Sequence, residues 1–282
     1  MTIVYKIAIA TIVLLCILSC KKDPEIIPDS PDIEDITPDT TNNNIHGNLE
    51  LVFVPMVGNK PLYMDSSYRS VINEQFVVNT FSIFVHNCSV NNFEGKETSL
   101  LSANKSGIQL VEFAKPNIDA GYGFQSVKIN FKADTGKYSG LSFDIGVPRE
   151  LNNSDPTLAP APLDSATYKG LYWGWDAGYI FMLAEGSGVG VYNNSFHLTI
   201  GKRQGIIPFT YGGFGPTRFR VEKDKTTRIL ISIDFLEILT NQDGSGYSLS
   251  ESNTANVHGG ENSLVIRNNT IKAIEFLSTQ TF

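Results

Sequence analysis

Five separate stretches of this chain alternate apolar and other residues with a period of two. Leu49, Leu51 and Phe53 alternate with Glu50 and Val52, and Val127, Ile129 and Phe131 with Lys128, Asn130 and Lys132. Leu141, Phe143 and Ile145 alternate with Ser142 and Asp144, and Phe196, Leu198 and Ile200 with His197 and Thr199. Ile229, Ile231, Ile233 and Phe235 alternate with Leu230, Ser232 and Asp234. Successive side chains of an extended strand point to opposite faces, so each pattern predicts a half-buried strand. Residues 76–86, 108–113, 179–184 and 271–277 predict further strands. Turn signals separate them, at Gly58-Asn59, Asp134-Thr-Gly136, Gly186-Ser-Gly188, Tyr211 to Pro216 and Asp243 to Gly246. Short helices fit 236–240 or 262–268. The expectation is an all-β fold, an antiparallel β-sandwich with long loops.

That pattern occupies residues 46–282, which suit one domain. Before it, Lys6 precedes an apolar run from Ile7 to Leu18, too short for a membrane span and shaped like a signal peptide. The run closes on Ser19-Cys20 and gives way at once to Lys21-Lys22-Asp23. A small residue before a cysteine at that place is the pattern of a bacterial lipoprotein. Residues 1–20 are therefore expected to be a lipoprotein signal peptide with Cys20 as the lipidated residue, a membrane anchor. Residues 21–45 hold four prolines, seven acids and two lysines, and read as a disordered, acidic, Pro-rich tether. Their net charge of −5 is most of the chain's −7. The folded part is near neutral, and no basic patch points to nucleic acid. Of three cysteines, Cys16 goes with the signal and Cys20 with the lipid, so Cys88 has no partner for an intramolecular disulfide. It follows the apolar run Phe81 to Val85 and is expected to be buried.

Both tryptophans, Trp173 and Trp175, stand in the Gly-punctuated stretch from Gly170 to Gly186. At positions i and i+2 of an extended chain they share a side. They read as paired core aromatics, as a stacking platform for a glycan, or as redox-sensitive aromatics beside a metal. The connection from Gly146 to Tyr172, rich in proline and polar residues, leads into them and is expected to be a loop that walls the stretch. Of the four histidines, His46 reads as solvated. His86 reads as a structural histidine or a ligand, His197 as an outward strand residue facing solvent or a site, and His258 as a surface residue or a ligand in a Gly-rich loop.

The blocks Gly140 to Pro148, Asn152 to Pro156, Pro162-Leu163, Leu171-Tyr-Trp-Gly-Trp175, Gly178-Tyr-Ile-Phe181, Glu185-Gly186 and Phe196-His197-Leu198, in this order, resemble the MbnP-like family. The segments Leu49 to Phe53 and Phe76 to Val85 also fit its N-terminal strands. These are copper-binding proteins of the periplasm or cell surface linked to methanobactin systems, many of them lipoproteins. The resemblance implies a non-catalytic protein holding copper(I) through histidines beside a tryptophan oxidised to kynurenine. On this chain it makes His197, His258 and His86 the metal-ligand candidates and Trp173 or Trp175 the modified aromatic. It implies a dihaem peroxidase-like partner for the oxidation and an outer-membrane lipoprotein, periplasmic or surface-exposed. The protein is expected to act as a monomer in metal acquisition or electron transfer. The chain departs from the family pattern at Gln109 and Asn153, where many members have histidine.

Other chemistry finds no motif. There is no Gly-x-Ser-x-Gly and no Cys/His nucleophile arrangement. Asn241 to Gly246 lacks the ligand register of a calcium loop and predicts a hairpin turn. The alternative to copper is a surface glycan-binding or structural lipoprotein built on the Trp173/Trp175 pair.

Overall fold

The computed structural model describes residues 46–102, 106–113, 125–164, 170–174, 176–213 and 215–282. The expected signal peptide, Cys20, the tether and Trp175 lie outside the described residues. In chain order the principal elements are β1 (His46–Val57), β2 (Gln75–Asn91), β3 (Gln109–Glu112), β4 (Val127–Asp134), β5 (Gly140–Ile145) and β6 (Ile180–Ser187). There follow β7 (Ser195–Gly201), β8 (Ile207–Gly212), β9 (Thr226–Asp234), a short helix α1 (Phe235–Ile238), β10 (Asn256–Val257), a longer helix α2 (Gly260–Ala273) and β11 (Ile274–Thr281).

The strands form two main sheets. The first runs β11–β9–β1–β4, and the second runs β8–β5–β2–β6–β7–β10, with β3 also paired to β2. All five alternating stretches fall in these strands, except that the last residue of the fifth, Phe235, opens α1. The sandwich is therefore as expected, with one correction: the sheets are mixed. β1 lies parallel to β9, and β7 parallel to β10. Parallel neighbours are joined by long crossovers, so this pairing is invisible to local periodicity.

The core lies between the sheets. Phe53 of β1 meets Phe143 of β5 edge-on at 5.4 Å, and Tyr211 of β8 stacks on Phe276 of β11 at 3.8 Å. Phe235, the first residue of α1, touches the rings of Phe76, Phe81 and Phe196 from the other sheet. Asp234 caps that helix by accepting the Leu236 N–H at 2.8 Å.

Helix α2 is longer than the 262–268 expected. It takes residues 271–273, so the strand expected over 271–277 begins instead at Ile274. The apolar run misled because Ile271 and Leu277 are both exposed. Ile266 and Ala273 bury in the core, and two buried polar groups add to the attachment: Ser263 Oγ donates to the Thr199 carbonyl at 2.6 Å, and the Asn269 amide donates to the Ile238 carbonyl at 3.1 Å. The turn expected at 241–246 is present, with Asn241 N–H donating to the Ser245 carbonyl at 2.7 Å.

Cys88 is buried, 7% exposed. Burial, aided by the Asp144 charge, pushes its thiol up to about 12. Burial likewise raises the Tyr138 phenol to about 12, with Asp134 adding to it. The unfolded chain releases these protons from about pH 8.5 for the thiol and about 10 for the phenol. Between those values and about 12 the folded state binds more protons, so stability falls as pH rises and is fully retained below about pH 8.5. Denaturant midpoints are expected to hold steady from about pH 7.5 to about 8.5 and to drop above it. Cys88 is expected to resist a thiol reagent at about pH 8 until denaturant is added. Equal labelling of folded and unfolded protein would show the thiol to be accessible.

Candidate metal centre

The outer face of the second sheet carries a smaller apolar cluster. Phe84, Phe181 and Leu183 of the sheet are covered by Val147, Leu163 and Leu171 from the 146–172 connection. The connection thus forms the expected wall. It is not structureless, for it contains single helical turns at Arg149–Asn152 and Pro156–Leu158, the second capped by Asp155.

Asn152 pins the wall to the tryptophan stretch. It is 2% exposed, and its Oδ1 accepts the Tyr179 N–H at 2.8 Å. Gly178 lies against the amide at φ +74°, where a Cβ would come within 2.4 Å of Asn152 Nδ2. Only glycine fits both the backbone and the space. The stretch folds as a tight hairpin rather than a continuous strand. Trp173 N–H donates to the Gly178 carbonyl at 3.0 Å, and Tyr172 bridges Tyr179.

This hairpin delivers Trp173 to the sheet edge, 39% exposed. Trp173 is therefore not a core aromatic. Its indole meets the His258 ring edge-on, with centroids 5.8 Å apart. His258 follows β10, whose parallel register pairs Asn256 with His197 and Val257 with Leu198. The two imidazoles consequently stand with centroids 4.6 Å apart and planes tilted by 32°.

On the other side of His197, antiparallel pairing places Glu185 directly opposite, with Thr80 beyond it on β2. His197 Nδ1–H donates to Glu185 Oε1 at 2.8 Å. An ionised carboxylate only accepts, so in the neutral ring this bond leaves the lone pair on Nε2. Nε2 is buried and has no hydrogen-bond partner among the described residues. His258 is held below the usual histidine range by partial loss of solvation and by the His197 ring, which favours its neutral form. A cavity of about 490 Å³ opens over the group, lined among others by Thr80, Ser82, Glu112 and Leu183.

The other sequence candidates lie elsewhere. His86 is on β2, six residues from Thr80, or roughly 20 Å along an extended strand. It pairs with Asp144, is 9% exposed, and burial lowers its pKa while Asp144 opposes that. His46 begins β1 and lies 3.0 Å from Asp134. Gln109 pairs with Val85, and Asn153 lines a different cavity; neither lines the one at His197. In the sequence, Glu185 stands out only as part of the Glu185-Gly186 block. Its role could have been read from its outward parity on β6, given the β6–β7 register that the sequence does not supply.

The family model of MbnP matches residues 46–259. The chain belongs to the MbnP family. The MbnP match contains Trp173, Glu185, His197 and His258 and ends before α2 and β11. Among solved structures, the fold is similar to MbnP from Methylosinus trichosporium, with a TM-score of 0.53 and 15% sequence identity over 77% of this chain and 82% of that one. No curated protein matches this MbnP-family chain in sequence.

Among the described residues no group of three or more His, Cys, Asp or Glu side chains is placed to hold a metal ion. A four-ligand zinc site is therefore not formed by them. Two imidazoles, one with a buried and unpartnered nitrogen, are a donor set that suits copper(I) at low coordination.

Proposed function

We propose that this MbnP-family protein binds copper(I) between His197 and His258, beside Trp173, and serves as a non-catalytic copper carrier. The observation that carries the reading is the orphaned His197 Nε2, aligned by Glu185 and facing a second imidazole. Bound copper supplies a soft cation and a one-electron redox couple. Glu185 fixes the tautomer and ring orientation of His197, while Trp173 shields the flank of His258. Trp173 is the described indole at which oxidation to kynurenine would act, performed by a dihaem peroxidase-like partner. The family reading also carries lipid attachment at Cys20, a periplasmic or surface location at the outer membrane, and a monomeric protein. Among the described residues no helix is long and apolar enough to cross a membrane. The glycan reading fits less well, because the Trp173 ring is engaged by His258 rather than presented alone.

Copper(I) titration against a competing chelator tests this. Wild type is expected to bind stoichiometrically and His197→Ala to lose binding. Glu185→Gln is expected to weaken it by about 10- to 100-fold, as loss of an orienting carboxylate does. Equal affinity in wild type and His197→Ala would rule out this centre. Separately, Trp173→Phe is expected to abolish any tryptophan-oxidation mass shift seen in protein from the native host.

A further inference from the structure

A second cavity, of about 340 Å³, opens beside the wall on the outer face of the second sheet. Val147, Arg149, Asn152, Phe181, Lys202 and Ile206 line it. The volume falls in the range of about 300–1,000 Å³ common for small-molecule sites. Its apolar surface comes from Val147 and Phe181, both buried, together with Ile206. Arg149 and Lys202 are exposed, and neither has an ion-pair partner among the described residues. Asn152 is 2% exposed and uses Oδ1 on the Tyr179 N–H, but its Nδ2 meets no acceptor. Buried amide donors are rarely left unmet.

We infer that this cavity binds a small carboxylate with an apolar body. Two cations without ion-pair partners among the described residues recognise an anion, and the planar guanidinium of Arg149 matches a carboxylate in particular. The apolar surface accepts an aliphatic group, which a bare inorganic anion lacks. Lys202 also lines a small neighbouring cavity with Trp173 and His258, so the bound carboxylate would sit next to the metal centre without being part of it.

The test is titration of the full chain with N-acetyl-leucine, acetate and inorganic phosphate, followed by NMR or calorimetry. N-acetyl-leucine is expected to bind at least about tenfold tighter than either comparator. The Arg149→Ala/Lys202→Ala double variant is expected to weaken it by at least about tenfold with an unchanged thermal midpoint, since both side chains are exposed. The inference is overturned by the absence of saturable binding, by phosphate or acetate binding as tightly, or by a double variant that binds like wild type.

Discussion

Phe235→Ala is expected to cost about 3–5 kcal/mol of folding stability. Phe235 is fully buried and is packed against three rings, Phe76 at 5.6 Å, Phe81 at 5.7 Å and Phe196 at 6.2 Å. It enters the core from α1, directly after β9 of the first sheet, whereas its partners belong to β2 and β7 of the second. Truncation removes contacts that join the sheets and leaves a cavity that two strand backbones cannot collapse to fill. Against a typical total of about 5–15 kcal/mol, this is a large share of the stability. Guanidinium unfolding should show a lower midpoint with an unchanged slope. Phe235→Leu, which keeps most of the volume, should recover much of the loss. A change under about 1 kcal/mol would mean that the neighbouring rings close the gap.

Gly186→Ala is expected to damage the fold and the candidate centre together. A Cβ at residue 186 would lie 1.9 Å from the Val77 carbonyl oxygen and 2.4 Å from the Phe196 ring. Neither can yield cheaply. The carbonyl belongs to the adjacent strand, and Phe196 is held against Phe235. The pairing of β6 with β2 also shifts register between Glu185 and Gly186, so the glycine sits at an irregularity beside the carboxylate that holds His197. Overpacking of this kind costs about 1–3 kcal/mol, and more where backbone must move. Relieving it by displacing β6 would pull Glu185 from His197. The variant should therefore show both a lower denaturation midpoint and weaker copper(I) binding than wild type. Gly190→Ala is the control for a glycine with open space around it, though its positive φ carries some strain. If Gly186→Ala kept wild-type stability and copper affinity, the close approach at this position would have to be relieved without cost.

The adjacency of Glu185 and Gly186 thus has a physical meaning that a motif alone does not convey. The acid faces outward to orient an imidazole, and the glycine faces inward beneath an aromatic ring. The same division holds for Asn152 and Gly178, distant in sequence, which together set the position of Trp173. Asn152 was legible only as one member of a loop block. Its function depends on the Tyr179 N–H, which becomes a neighbour only after the wall folds onto β6. His86 illustrates the opposite case. Its place at the end of an apolar run was read correctly as a strand, but its six-residue distance from Thr80 excludes it from the group around His197.

By itself, the sequence determined most of the strands, the sandwich, the burial of Cys88 and the family, because period-two alternation and short blocks are local properties of the chain. It could also place His197 on the face opposite the core, since parity is local too. Only the tertiary structure decided that His258 reaches His197, that Glu185 rather than solvent meets Nδ1, and that Trp173 stands at an edge. Each of those depends on which strand lies beside which and in what register. The parallel β7–β10 pairing joins residues about sixty positions apart, and register is set by the packing of whole sheets rather than by any single stretch.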